Sequence, residues 1–223
     1  MQEKKIISHI KDWLSSYLLE SKCKGFVVGV SGGIDSAVTS TICAKTGCPL
    51  LCLEMPTLQK KQEIERSTQH IDWLKKRFKN VSSINIDLTL LLKSFSQSIK
   101  KSTNNELALA NTRARLRMTT LYYFSQINNY LVVGTGNKVE DFGIGFFTKY
   151  GDGGVDMSPI ADLLKSEIYN LANELEIIDS IQKAVPTDGL WESGKTDEDQ
   201  IGATYTELEW AMNFNSNEKN LSD

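Results

Sequence analysis

The chain is short of the residues that build metal clusters, disulfide frameworks and flexible linkers. Its 223 residues include two histidines, four cysteines and four prolines. The histidines, His9 and His70, lie far from the close pair Cys48 and Cys52, which argues against a zinc site. Cys23, Cys43, Cys48 and Cys52 read instead as free, buried thiols of a reducing compartment. Charge of one sign is also lacking: 25 Lys and Arg face 28 Asp and Glu, for a net charge of −3 and a pI near 5.6. That balance excludes a bulk nucleic-acid binder. No apolar run reaches about 18 residues and Met1–Lys5 carries no signal-peptide pattern, so the expectation is a cytoplasmic protein with no membrane partner. Repeats and low-complexity linkers are missing too. With 40% apolar residues, residues 1–223 read as a single domain with a core of its own.

What is present is alternation. Ile6, Ile7, Ile10, Trp13, Leu14, Tyr17 and Leu18 recur at helical spacing and predict an opening amphipathic helix. Phe26–Val30, Leu50–Met55, Ser83–Ile86 and Tyr130–Thr135 read as strands. Helices are expected over Ser36–Cys43, Glu63–Lys79, Leu88–Lys100, Glu106–Asn128 and Leu163–Leu175. Strands alternating with helices predict an α/β fold, a doubly wound parallel sheet with helices on both faces. Ligands of such sheets bind at the carboxyl ends of the strands, so the turns after Val30 and Val133 should face one ligand.

The first of those turns is the most specific feature of the chain. In G-F-V-V-G-V-S-G-G-I-D-S, Gly25 to Ser36, an apolar run stops at Ser31, Gly32 and Gly33, and a helix begins. Strand, glycine turn and helix aim backbone N–H groups and a helix N-terminus at one point, where an anion can bind. Ser31 and Ser36 add hydroxyls. Asp35 beside a bound phosphate is repelled unless a divalent cation lies between them, so the pattern predicts a nucleotide with Mg²⁺. S-G-G-x-D-S resembles the pyrophosphate loop of the N-type ATP pyrophosphatases, which cleave ATP to AMP and pyrophosphate.

The second turn, Gly134-Thr135-Gly136-Asn137-Lys138-Val139-Glu140, places Glu140 near the sheet edge that carries Asp35, and two carboxylates there suit one Mg²⁺. Position alone favours an ordinary helix-start acid at Glu140. The run that follows, G-F-F-T-K-Y-G-D-G-G-V-D from Gly145 to Asp156, is too irregular for a helix or strand. Phe146, Phe147 and Tyr150 offer either a stacking wall for a flat heterocycle or a plug for the core. F-F-T-K-Y-G-D-G-G-x-D is similar to the signature of NAD synthetases, and Asn111–Arg117, N-T-R-A-R-L-R, looks like the Arg-rich helix of that family. The resemblance runs from the first strand to about Met212.

The resemblance implies a Rossmann-like sheet of the adenine nucleotide alpha hydrolase type and a two-step reaction. The carboxylate of nicotinic acid adenine dinucleotide attacks the α-phosphorus of ATP, and ammonia then displaces AMP from the adenylate to give NAD. It implies that Gly29, Val30, Ser31, Gly32, Gly33, Ile34, Asp35 and Ser36, with Thr135, Lys165 and Thr187, hold ATP, and that Asp35 and Glu140 hold Mg²⁺. It assigns Arg115, Lys149 and Asp156 to the deamido-NAD substrate and Asp152 to the neighbourhood of the ammonia. Asp35, Lys165 and Asp152 are the expected catalytic groups, although Lys165 by position alone reads as a surface lysine. Arg113, Arg115 and Arg117 alternate along one helix and cannot all face one side. The family implies a homodimer and, with no room for a glutaminase domain, free ammonia as nitrogen donor. Residues 187–199 read as a lid. Within them G-L-W-E-S-G-K-T matches the Walker A expression but lacks the flanking strand and helix. A basic C-terminal helical segment with a His-Lys pair, usual in the family, is not found before Asp223. The alternatives are another amide-forming or thiolating ATP pyrophosphatase, such as a GMP synthetase-like or tRNA-modifying enzyme, and a non-catalytic nucleotide-binding domain.

Overall fold

The computed structural model describes residues 1–99, 106–187 and 196–214. Helix α1 (Gln2–Ser21) precedes β1 (Gly25–Gly29), α2 (Ile34–Lys45), β2 (Leu50–Glu54), α3 (Lys61–Arg77), β3 (Val81–Asn85), α4 (Thr89–Ser98), α5 (Glu106–Asn128) and β4 (Tyr130–Val133). A π-helix (Lys138–Ile144), α6 (Lys165–Glu174), α7 (Asp179–Gln182), α8 (Asp197–Ile201) and α9 (Tyr205–Met212) follow. The strands form one sheet in the order β3-β2-β1-β4, and each neighbouring pair is parallel.

Alternation along the strands divides the core in two. Phe26, Val28, Leu50, Cys52, Leu131 and Val133 pack with Leu14 of α1, Val38 and Ile42 of α2, Leu74 of α3 and Ile168 and Leu171 of α6. Val27, Leu51, Leu53 and Val132 face the other way, onto Leu116, Leu121, Tyr122 and Phe124 of α5. Helices therefore cover both faces, as the alternation predicts. The chain runs outward from β1 through β2 to β3, then crosses to β4 on the far side of β1. The order reverses between β1 and β4, and a crevice opens there beyond their carboxyl ends. At the margins, β3 is short and largely exposed, while Met157 bridges to Val133 of β4.

Helix α2 is buried from Ser36 to Ala44. Its hydroxyls are satisfied within the helix: Ser40 Oγ donates to the Ser36 carbonyl at 2.7 Å and Thr41 Oγ1 to the Ala37 carbonyl at 2.6 Å. Cys43 and Cys52 are also buried, and burial pushes the Cys52 thiol up to about 12. Among the described residues no helix is long and apolar enough to cross a membrane.

Several local readings shift. Helix α2 begins at Ile34 rather than Ser36, capped by Gly33 in an extended conformation, which puts Asp35 in the first turn. At the end of the expected lid, Thr196 and Asp199 form a capping box that starts α8. A second box, Thr204 with Glu207, starts α9. Residues 188–195, which hold most of the expected lid and the Walker-like run, lie outside the described residues, as do Lys100 and Ser102–Asn105.

One buried titratable group sits beneath the sheet. His70 of α3 is fully buried, lies 3.0 Å from Ser40 Oγ through Nε2 and stacks on Trp73 at 5.5 Å. Burial lowers its pKa from 6.5 to about 4, with the Ala37 carbonyl opposing in part. The unfolded chain binds this proton more readily, so the stability held above pH 6.5 drains away as pH falls toward 4, by up to roughly 3 kcal/mol. Urea unfolding at pH 7 and pH 4.5 tests this. His70→Phe, which keeps a ring on Trp73, should show a clearly smaller pH dependence than the parent chain; equal slopes would refute the assignment.

Candidate active site

The crevice between β1 and β4 holds a cleft of about 260 Å³. Gly29 to Ser36 form one wall and Val133 to Gly136 the other. Ser31 and Ser36 brace the first turn: their hydroxyls lie 3.1 Å apart, Ser36 Oγ receives the Ser31 N–H at 3.2 Å, and Ser31 Oγ receives the Gly33 N–H at 3.2 Å. Gly32 has φ +83°, and a Cβ there would lie 2.6 Å from the Glu63 carbonyl of α3. Only glycine meets both demands.

Two carboxylates and one ammonium lie at the centre. Lys165 Nζ donates to Asp35 Oδ2 at 2.7 Å and to Glu140 Oε1 at 2.8 Å. Lys165 is buried, 3% exposed, and is the first residue of α6, a helix end that disfavours a cation; its partners hold it there. Burial presses all three groups toward neutrality. One ammonium cannot neutralise two carboxylates, so burial prevails at Asp35, whose carboxyl is raised. Lys165 prevails over burial at Glu140, whose carboxyl is lowered, and Asp35 and Glu140 together hold Lys165 above its usual range.

Side chains outside the expected set fasten this centre. Fully buried Asn137 donates from Nδ2 to Asp35 Oδ1 at 3.2 Å, and its Oδ1 caps the π-helix by accepting from the Val139 and Glu140 N–H groups, each at 3.0 Å. Tyr205 donates from its hydroxyl to Glu140 Oε1 at 2.5 Å, lies 3.2 Å from Asp197 Oδ2, and presents its ring 4.9 Å from Lys165 Nζ. The capping box Thr204-x-x-Glu207 was a visible signal for a helix beginning at Tyr205; nothing local signalled its contact with Glu140. Asp141 also lines the cleft, with its carboxylate so close to Gly136 that a Cβ there would force it to move. Burial, then Asp152, Glu140 and Asp35, push its carboxyl up to about 7.

The cleft gathers Thr135, Thr187, Lys165, Asp35, Glu140 and Asp152 around the glycine turn. Asp152 accepts the Thr148 N–H at 3.0 Å, and Thr187 reaches Glu63 at 3.4 Å. Arg115, Lys149 and Asp156 are not among its lining. Arg115 is exposed and donates to the Lys149 carbonyl at 3.2 Å; Lys149 Nζ lies over the Tyr150 ring; Asp156 accepts from the Val132 N–H and the Tyr122 hydroxyl. Helical phase places Arg117 in the cleft instead, beside Met118 and Leu121, with Nε on the Met55 carbonyl at 3.3 Å. Of the three aromatics, Phe146 alone lines the cleft; Phe147 packs on Gly153 and Tyr150 is exposed.

The donor set suits a hard divalent cation. Asp35 and Glu140 already converge on one cationic atom, and all their contributed atoms are oxygen. Among the described residues no cluster of three or more acidic, His or Cys side chains could hold a metal alone. Two carboxylates with the balance of ligands from phosphate and water is the usual protein site for Mg²⁺.

Comparison with known proteins gives a consistent result. The family model described as NAD synthase matches residues 6–223. An NH(3)-dependent NAD(+) synthetase from Mesoplasma florum is 38% identical over 99% of this chain and 89% of its own. That of Mycoplasma genitalium is 41% identical over 92% and 81%. Among solved structures, an NMN synthetase from Francisella tularensis superposes with a TM-score of 0.86 at 33% identity, over 95% of this chain and 86% of that one. An NH3-dependent NAD synthetase from Campylobacter jejuni gives 0.74 at 33% identity, over 82% and 77%.

The glycine turn yields a direct test. Gly32→Ala combines a positive φ with a collision against backbone, whereas Gly47, at φ +78°, has nothing within 4 Å of its Cβ position. Gly32→Ala should weaken ATP binding by at least about tenfold, equivalent to about 1.4 kcal/mol. Gly47→Ala should leave it unchanged although both bear backbone strain. Equilibrium dialysis with labelled ATP reads both.

Proposed function

The chain belongs to the NAD synthase family, and from that premise we propose how its residues divide the work of an ammonia-dependent NAD synthetase. The observation that carries the reading is the convergence of Asp35, Glu140 and Lys165 on one point beside the glycine turn. ATP lies in the crevice. The Gly32 N–H group, the hydroxyls of Ser31 and Ser36, and the N-terminus of α2 receive the β- and γ-phosphates. Thr135, Thr187, Lys165 and Arg117 complete the phosphate contacts. Adenine occupies the apolar end, formed by Met55, Met118 and Leu121.

Asp35 and Glu140 would hold Mg²⁺, which would supply positive charge against the pyrophosphate. The nicotinate carboxylate forms its bond to the α-phosphorus as the bond from that phosphorus to pyrophosphate breaks. The protein's own contribution is mainly positional and electrostatic: both partners are anionic, and the fixed dipoles and cations of the cleft hold them in line. Ammonia then bonds to the acyl carbon, AMP departs with the former carboxylate oxygen, and the amide loses a proton. Asp152 is the acceptor for hydrogen bonds from the ammonia. Arg115, Lys149 and Asp156 contact the dinucleotide beyond the cleft.

A homodimer belongs to the same reading. Leu90, Leu91 and Phe95 of α4 and Leu107, Tyr123 and Ile127 of α5 are exposed apolar side chains on two helices that contact one another, which supports an interface on this side. Sedimentation should give about twice the 25.0 kDa chain mass, and Leu91→Asp combined with Tyr123→Glu should shift it to monomer.

The deciding assay supplies ATP, Mg²⁺ and ammonium with nicotinic acid adenine dinucleotide, and in parallel with nicotinic acid mononucleotide, since one structural relative is an NMN synthetase. NAD and pyrophosphate should form together from the dinucleotide. Asp35→Asn should reduce turnover by at least about a hundredfold, the scale of losing one preorganised charge contact. Turnover of the mononucleotide alone would reassign the substrate. A folded chain that forms neither product would refute the reading.

A further inference from the structure

The Asp35–Lys165–Glu140 contact has a second meaning. Two carboxylates that converge in a buried crevice repel one another, and here the atom between them is an amine of the chain itself. The side chains of Lys165, Asp35 and Glu140 are 4%, 18% and 16% exposed. Asn137 fixes Asp35 from one side and Tyr205 fixes Glu140 from the other, so the oxygen pair is held in place whether or not its partner cation changes. Lys165, in contrast, carries its ammonium on four methylenes, the longest stem of the three side chains.

We propose that Lys165 is the resident counter-ion of the Asp35–Glu140 pair, and that a divalent cation replaces it only when it arrives with the triphosphate. The argument is one of charge and space. A dication meeting both carboxylate oxygens needs the position from which Nζ now donates to both. An ammonium drawn off its two carboxylate partners without a new anion loses both contacts, which opposes entry of the bare metal. A triphosphate entering beside the glycine turn supplies that anion, because Lys165 lines the same cleft as Gly32 and Gly33. Metal and nucleotide then load as one unit, and Lys165 moves from carboxylate to phosphate in the same event. The inference rests on the preceding reading only in taking Asp35 and Glu140 as the metal-holding pair.

Mn²⁺ serves as probe, with its free fraction read by electron paramagnetic resonance, so that no turnover is needed. The parent chain should bind Mn²⁺ weakly without nucleotide and at least about tenfold more tightly with a non-hydrolysable ATP analogue. Lys165→Met should bind Mn²⁺ without nucleotide at least about tenfold more tightly than the parent, and Lys165→Met with Asp35→Asn should lose that gain. Mere structural damage lowers affinity and cannot produce a gain. Should Lys165→Met fail to fold by circular dichroism, the parent chain alone decides: tight Mn²⁺ binding without nucleotide overturns the proposal. So does a folded Lys165→Met chain that binds no better than the parent. NAD formation with no such gain defeats this inference alone, and a gain without NAD formation defeats the activity while leaving the counter-ion role standing.

Discussion

The site depends on a requirement of burial: two carboxylates delivered by different strands must share one buried cation. Asp35 rides on the first turn after β1 and Glu140 on the π-helix after β4. Neither could stay ionised at such depth alone, because removing a charge from water costs several kcal/mol unless a partner meets it. The parallel register of β1 with β4, Val28 opposite Val133, brings their ends level. Helix α6 then delivers Lys165 from 130 residues beyond Asp35. A slip of register by one residue would separate the carboxylates and turn every core side chain of the strand to the wrong face. Sheet packing and site chemistry are therefore the same constraint seen from two sides.

The C-terminal helices belong to that constraint. Tyr205 reaches Glu140, and Glu209 of α9 accepts both the N–H and the hydroxyl of Ser166, the residue after Lys165. Met212 lies against Gly143 of the π-helix. A short helix far along the chain thus braces both the lysine and one of the acids it neutralises, and its capping box, Thr204 with Glu207, fixes where it starts.

The sheet and most helices were legible because their signals are local. Helix α5 spans Glu106–Asn128, as its pattern predicts, and the glycine turn and F-F-T-K-Y-G-D-G-G announce a site at the strand ends. What local pattern could not supply was side-chain partnership across the fold. Position made Lys165 a surface residue; long-range ion pairing made it buried. Alternation of Arg113, Arg115 and Arg117 showed that they must diverge but not which one enters the cleft, since that depends on how α5 lies on β1 and β4. A helix start at Glu140 was legible but its π pitch was not; Asn137 caps that turn by accepting the Val139 and Glu140 N–H groups.

The two margins of the sheet are treated differently. At one, β3 reads Val-Ser-Ser-Ile-Asn and lies mostly open to water, with Lys75 of α3 donating to Ser83 at 3.2 Å. At the other, Met157 pairs with Val133, and Asp156 occupies the Val132 N–H and carbonyl through its side chain and backbone. One border is thus polar and short, and the other has its backbone groups already engaged. A neighbouring chain seeking to extend the sheet finds no long, apolar row of free donors and acceptors at either border, so the same loop that shapes the cleft also guards the protein against strand-by-strand aggregation.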